Sequence, residues 1–219
     1  MGTPDYRYIA VEGPIGVGTT SLAGMLAQDI GGEVLFEEVR SNPFLPEFYK
    51  NREKNAFNAQ LSFLVSRCRQ LKHAAGAGAG KNLFKHRVVA DYMMEKDRIF
   101  AELNLNQPEF ELYNDVYGLM SVDVARPDLV IFLTAQTETL VQRVKKRGSE
   151  FEVGITEEYI EEVNQAYHRF FFRYESGPML QVNTNDIDFV NNKEDFRKLL
   201  DKISSPVKGR EFFNPLGSV

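Results

Sequence analysis

The chain has 219 residues, 43% of them hydrophobic, which is enough for one domain with a substantial core. A net charge of -5 argues against a nucleic-acid or acidic-membrane binder, and the single Cys68 cannot form an internal disulfide, which fits a reducing compartment. Met1 to Tyr6 is short and polar, and no apolar run approaches ~18 residues, so a cytoplasmic protein without a membrane span is expected.

Taken in order, Tyr6 to Val11 reads as a strand and Ser21 to Ala27 as the start of a helix. Between them lies Glu12-Gly13-Pro14-Ile15-Gly16-Val17-Gly18-Thr19-Thr20. Strand, glycine loop and helix is the context of the phosphate-binding template G-x-x-x-x-G-K-[ST]. Gly13 and Gly18 fall in place and Thr20 occupies the hydroxyl position, but Thr19 stands where the template has Lys. The backbone parts of a phosphate cradle therefore survive: convergent N–H groups and a helix start. The ammonium is missing. Gly13, Gly16, Gly18, Thr19, Thr20 and Ser21 are the candidate cradle residues, with the Thr20 hydroxyl as a ligand for Mg2+.

Gly31-Gly32 stops the first helix, and Glu33 to Phe36 reads as a second strand ending in Glu37-Glu38. Asn42 to Pro46 breaks regular structure before a short helical turn over Glu47 to Lys50. Ala56 to Lys72 has apolar residues at helical spacing, and Ala74 to Gly80 reads as a loop. Arg87 to Ala90 is a strand with Asp91 at its exit, and helices follow over Met93 to Leu103 and Pro108 to Val124. Leu129 to Leu133 is a buried strand, Thr137 to Arg147 a helix with a basic end, and Thr156 to Tyr174 a further helix. Met179 to Val182 is a fifth strand, Lys193 to Ile203 the last helix, and Ser204 to Val219 a tail. Strands alternating with helices predict an α/β fold, a parallel sheet covered on both faces, in a single domain over 1–219.

Ligands of such sheets bind beyond the carboxyl ends of the strands, where the glycine loop, Glu37-Glu38 and Asp91 all fall. A carboxylate there can take a proton from a hydroxyl or hold Mg2+. Gln60 and Arg67 lie seven residues apart on one helix face. They are either a solvent stripe or groups that read a base edge, and spacing alone leaves both open. Arg143, Lys145, Lys146 and Arg147 either match the helix C-terminus or close as a lid over phosphates. His73, His86 and His168 show no metal-ligand spacing, and Phe170-Phe171-Phe172 reads as core.

Six motifs in order resemble the deoxynucleoside kinases, in particular their bacterial members. They are EGPIGVGTTSLA (12–23), EEVRSNPFLPEFY (37–49), NAQLSFLVSRCRQL (58–71), VVADYMMEKDRIFAEL (88–103), RVKKRGSEFEVGI (143–155) and VNTNDIDF (182–189). The resemblance implies a nucleoside-kinase fold with a five-stranded parallel sheet, ATP and Mg2+ as cofactors, and a homodimer. It implies transfer of the ATP γ-phosphoryl group to the 5′-hydroxyl of a deoxynucleoside, such as deoxyadenosine or deoxyguanosine. Glu37 matches the general base. Tyr49 and Glu152 match groups that hold the sugar 3′-hydroxyl. Gln60 matches the base-reading glutamine, and Arg67 and Asp97 its polar neighbours. Asp91 matches the acidic residue of the family's acid-Arg motif, a substrate-binding candidate, and is the second candidate ligand for Mg2+. Arg143 and Arg147 match arginines of a lid over 143–155, and Asn185 and Asp186 lie where the family packs a loop on the donor base.

Three positions depart from the pattern: Thr19 for Lys, Tyr92 where many members have Arg, and Ser149 where many have a third lid Arg. Each removes positive charge near the phosphates, where phosphoryl transfer depends on it. Two readings follow, a working kinase and a non-catalytic binding or assembly subunit of the same fold. Loss of the loop ammonium is expected to lower turnover rather than to unfold the chain.

Overall fold

The computed structural model describes residues 4–75, 86–149 and 154–217. Its strands are β1 Tyr8–Glu12, β2 Glu33–Leu35, β3 Val88–Ala90, β4 Leu129–Thr134, β5 Met179–Asn183 and β6 Arg210–Phe213. Its helices are α1 Thr19–Ile30, α2 Leu45–Lys50, α3 Arg52–Ala75, α4 Lys96–Asn104, α5 Gln107–Met120, α6 Thr137–Arg147, α7 Glu157–Phe172 and α8 Lys193–Ile203, with a 3-10 turn over Val39–Ser41. The strands form one sheet in the order β2-β3-β1-β4-β5-β6, and every pairing is parallel.

Burial on both faces explains the apolar strands. Along β1, Tyr8 and Ala10 enter one core and Ile9 and Val11 the other. The first core is closed by α3, α4, α5 and most of α7, through Leu64, Ile99, Tyr113 and Phe171. The second is closed by α1, α6 and α8, through Leu22, Leu140 and Leu199. Strand order reverses at β1, which has β3 on one side and β4 on the other. A crevice opens beyond the carboxyl end at such a reversal. The register pairs Ala10 with Ala90 and Leu35 with Ala90, so Glu12, Glu37 and Asp91 leave the sheet at the same edge.

The sheet has six strands rather than five. Residues 210–213, expected as part of a tail, pair with β5 from Met179↔Arg210 to Val182↔Phe213. The strand is short, only half-buried and flanked by Gly209 and Pro215, so its pattern does not separate from the surrounding turns. Arg210 fixes it by donating to the carbonyls of Phe171, Phe172 and Tyr174 at 2.8, 3.0 and 3.1 Å.

Several helix limits also differ from expectation: α5 ends at Met120 rather than Val124, and α7 at Phe172 rather than Tyr174. The helix before residue 76 is longer, so Ala74 and Ala75 are helical, and 76–80 lie outside the described residues. Helix α2 starts at Leu45 and takes Pro46 in its first turn, where a missing N–H costs little. Helix α4 starts at Lys96 rather than Met93, because the Met93 N–H is drawn 2.8 Å from Glu12 Oε1 and the chain turns first. No helix among the described residues is long and apolar enough to cross a membrane.

Candidate active site

The glycine loop joins the buried end of β1 to the start of α1. At Gly13 a Cβ would lie 2.6 Å from the Leu133 carbonyl oxygen, so only glycine lets the loop pass this close to β4. Gly18 has φ 106° and stands before α1 without any side-chain cap on the helix. The first N–H groups of α1 are therefore left to an outside acceptor, which suits an anion. The Thr20 hydroxyl donates to Asp91 Oδ2 at 2.6 Å, and Asp91 Oδ1 accepts the Glu37 N–H at 2.7 Å. Asp91 thus ties the loop to the carboxyl end of β2. Two oxygens at such a distance suit a hard divalent cation, so the pair fits Mg2+.

A cavity of about 240 Å³ opens between the loop and α3. Gly13, Gly16, Gly18, Thr19, Thr20 and Ser21 line one side, and Tyr49, Gln60, Arg67, Asp91 and Glu37 are among the residues that line the rest. Gln60 and Arg67 are each 3% exposed, which excludes the solvent-stripe reading. Arg67 is the hub. It bonds Glu37 Oε1 through Nη2, sets Nη1 2.6 Å from Asp97 Oδ1, and packs its guanidinium on Phe63 with 5.1 Å to the ring centre. The Asp97 contact is an ion pair without an aligned hydrogen bond. Both Asp97 oxygens, Arg67 Nε and Nη1, Gln60 Oε1 and the Tyr113 hydroxyl lack an aligned partner. Buried polar atoms of this kind are costly unless a partner arrives. Of these residues, Gln60 and Arg67 line the cavity.

Electrostatics sort the carboxylates. Burial alone would raise Glu37, but Arg67 and Lys96 outweigh it and hold the carboxyl at about 2. Burial raises Asp97 to about 6, with Arg67 opposing, and raises Glu12 to about 7, with Lys96 opposing. Glu12 is fully buried at the end of β1 and also accepts the Tyr167 hydroxyl at 3.3 Å.

On the other side of the loop a second, wider cleft is lined by Gly16, Gly18, Ser21, Arg143, Arg147, Asn185 and Asp186. Arg147 lines both spaces. Arg143 is held in place, donating to Thr184 Oγ1 at 3.0 Å and the Thr184 carbonyl at 2.7 Å. It thereby fixes the segment after β5 against α6. Asn185 Oδ1 accepts the Gln136 N–H at 2.8 Å. Ser149 follows α6, and Glu152 lies in 150–153, outside the described residues.

One departure looks different in three dimensions. Tyr92 is fully buried, and its hydroxyl donates to Gln70 Oε1 at 3.1 Å, so it braces β3 against α3. Lys96 was not singled out from the sequence, yet it lines the cavity and sets Nζ 2.7 Å from Glu37 Oε2. No template marks it, and reading 93–103 as one helix hid the turn that aims it inward. Tyr113 and Glu12 were also missed. An acidic residue closing an apolar strand was the available signal for Glu12.

A family model described as deoxynucleoside kinase matches residues 9–208. Deoxyguanosine kinase of Bacillus subtilis (strain 168) is 37% identical over 196 residues, covering 88% of this chain and 93% of that protein. Deoxyadenosine kinase of Lactobacillus acidophilus is 28% identical over 216 residues, covering 92% and 97%. Among solved structures, deoxyadenosine kinase from M. mycoides with bound dCTP superposes with a TM-score of 0.76 at 27% identity, covering 91% of this chain and 100% of that one. With the loop, the cavity and these likenesses together, the chain belongs to the deoxynucleoside kinase family.

Proposed function

We propose that the protein transfers the γ-phosphoryl group of ATP to the 5′-hydroxyl of a purine deoxynucleoside. The observation that carries this reading is the position of Glu37. It stands in one cavity with the glycine loop on one side and the buried Gln60–Arg67–Asp97 cluster on the other. The base would take up the polar atoms of the cavity-lining Gln60 and Arg67, whose Oε1 and Nε have no hydrogen-bond partner. Gln60 suits this, having both a donor and an acceptor. Tyr49, packed edge-on against Tyr159, would flank the sugar.

Glu37 is ionised at neutral pH, as an acceptor of the 5′-hydroxyl proton must be. Phosphoryl transfer asks mainly for positioning and charge stabilisation, so a weak base aligned on the hydroxyl suffices. The loop N–H groups and Ser21 would hold the donor phosphates, with Arg147 over them and Asn185 and Asp186 beside the donor base. Thr20 and Asp91 would hold Mg2+, which supplies positive charge to the phosphate oxygens. Arg143 would act by fixing the donor cleft. None of the relatives named above is a non-catalytic subunit, and the site offers nothing that favours that alternative.

A homodimer belongs to the same reading. Leu112 and Leu119 lie seven residues apart on α5 and are 53% and 80% exposed, with Val122 close by at 57%. An apolar face of this kind suits a second copy. The function is tested by ADP release with ATP, Mg2+ and a deoxynucleoside panel. Release that requires deoxyadenosine or deoxyguanosine is expected. Release with neither, at millimolar nucleoside, contradicts the reading.

A further inference from the structure

We propose that Lys96 supplies the ammonium missing from the glycine loop, donating to the oxygens of the phosphoryl group as it passes from ATP to the deoxynucleoside. This rests on the kinase reading above and adds a residue to it.

Among the described residues, Lys96 is the one lysine that lines the cavity holding the loop. Its side chain is 13% exposed, and Nζ lies 2.7 Å from Glu37 Oε2. The Glu37 N–H is held by Asp91, which also accepts the Thr20 hydroxyl. The ammonium is therefore connected to the loop through two residues, and it stands beside the carboxylate where the 5′-hydroxyl would sit. An ammonium carries three donors, and Glu37 uses one.

Beside Arg147, which is placed over the donor phosphates, the other cations expected to help are engaged elsewhere. Arg67 is shared between Glu37 and Asp97 and packed on Phe63. Arg143 is bound to Thr184. The arginine that many family members carry after the strand-end acid is Tyr92 here, directed at Gln70. Glu37 and Glu12 outweigh burial and keep Lys96 protonated well above neutral pH.

In the step, the 5′-oxygen forms a bond to the γ-phosphorus, and the bond to the bridging oxygen breaks. ADP leaves with that electron pair, and the hydroxyl proton passes to the Glu37 carboxylate. Lys96 keeps its proton and donates hydrogen bonds to the phosphoryl oxygens throughout.

The test compares wild type, Lys96→Met, Lys96→Arg, Thr19→Lys and the double variant Thr19→Lys/Lys96→Met, using ATP·Mg2+ and deoxyguanosine or deoxyadenosine. Lys96→Met is expected to lower kcat by roughly 100-fold, with KM for the nucleoside changed only a few-fold. Lys96→Arg keeps the charge and should retain more turnover than Lys96→Met. Thr19→Lys should raise kcat of Lys96→Met by at least about tenfold more than it raises wild type, since the two ammonium groups serve one place. Equal losses in Lys96→Arg and Lys96→Met, or the same effect of Thr19→Lys in both backgrounds, overturn the assignment while leaving the kinase reading intact. No turnover in the wild type overturns both.

Discussion

Glu12 sits at the end of β1 with no exposure and a carboxyl held at about 7 against an ordinary 4.5. Burial is the main cause, with the nearby Glu37 adding to it, while Lys96 and the Met93 N–H oppose. Across that interval the folded protein keeps a proton that the unfolded chain has released. Stability therefore falls as pH rises, by about 3 kcal/mol between pH 4 and pH 8 from this group. Glu12→Gln removes the titration and keeps an oxygen for the Met93 N–H and a polar end beside the Tyr167 hydroxyl. The variant should match wild type in urea unfolding at pH 4 and exceed it by about 3 kcal/mol at pH 8. Asp97, held at about 6, falls in the same direction in both proteins and does not disturb the comparison. Equal stability at pH 8, or a variant less stable there, would mean that Glu12 is not held protonated by burial.

Arg67→Met should cost about 3–5 kcal/mol in urea unfolding, because Asp97 loses its buried cation and Glu37 keeps only Lys96, and adding Asp97→Asn should recover part of it. Gly13→Ala should cost about 1–3 kcal/mol, measured the same way, since its Cβ would meet the Leu133 carbonyl at 2.6 Å. Gln60→Ala should narrow the ratio of dissociation constants between deoxyguanosine and deoxyadenosine more than it weakens binding of either, as read by calorimetry. Analytical ultracentrifugation should give a dimer at micromolar concentration, and a pure 25.0 kDa species would remove the proposed interface.

Much of this was legible in sequence because it rests on local pattern. The β1–loop–α1 unit, the buried run of β4 and the stop at Gly31 follow from spacing, apolar runs and glycine chemistry. The strand-end carboxylates could be placed because parallel sheets put their ligands at that edge. What stayed hidden depends on direction and on distant partners. Gln60 and Arg67 share a helix face, but spacing cannot say whether that face looks at water or at Glu37. Lys96 is aimed by a turn that Glu12 imposes from 81 residues away. Tyr92 reads as a lost cation until its hydroxyl is seen on Gln70. Strand β6 is half-buried at an edge, where alternation is weakest.

In the proposed reaction Glu37 receives the acceptor hydroxyl across from the glycine loop. Glu37→Gln tests it most directly, with nucleoside binding by calorimetry and turnover by ADP release on the same preparation. Deoxynucleoside affinity should stay within about tenfold of wild type while kcat falls by roughly 100-fold or more. Turnover within a few-fold of wild type in a variant that binds nucleoside would contradict it.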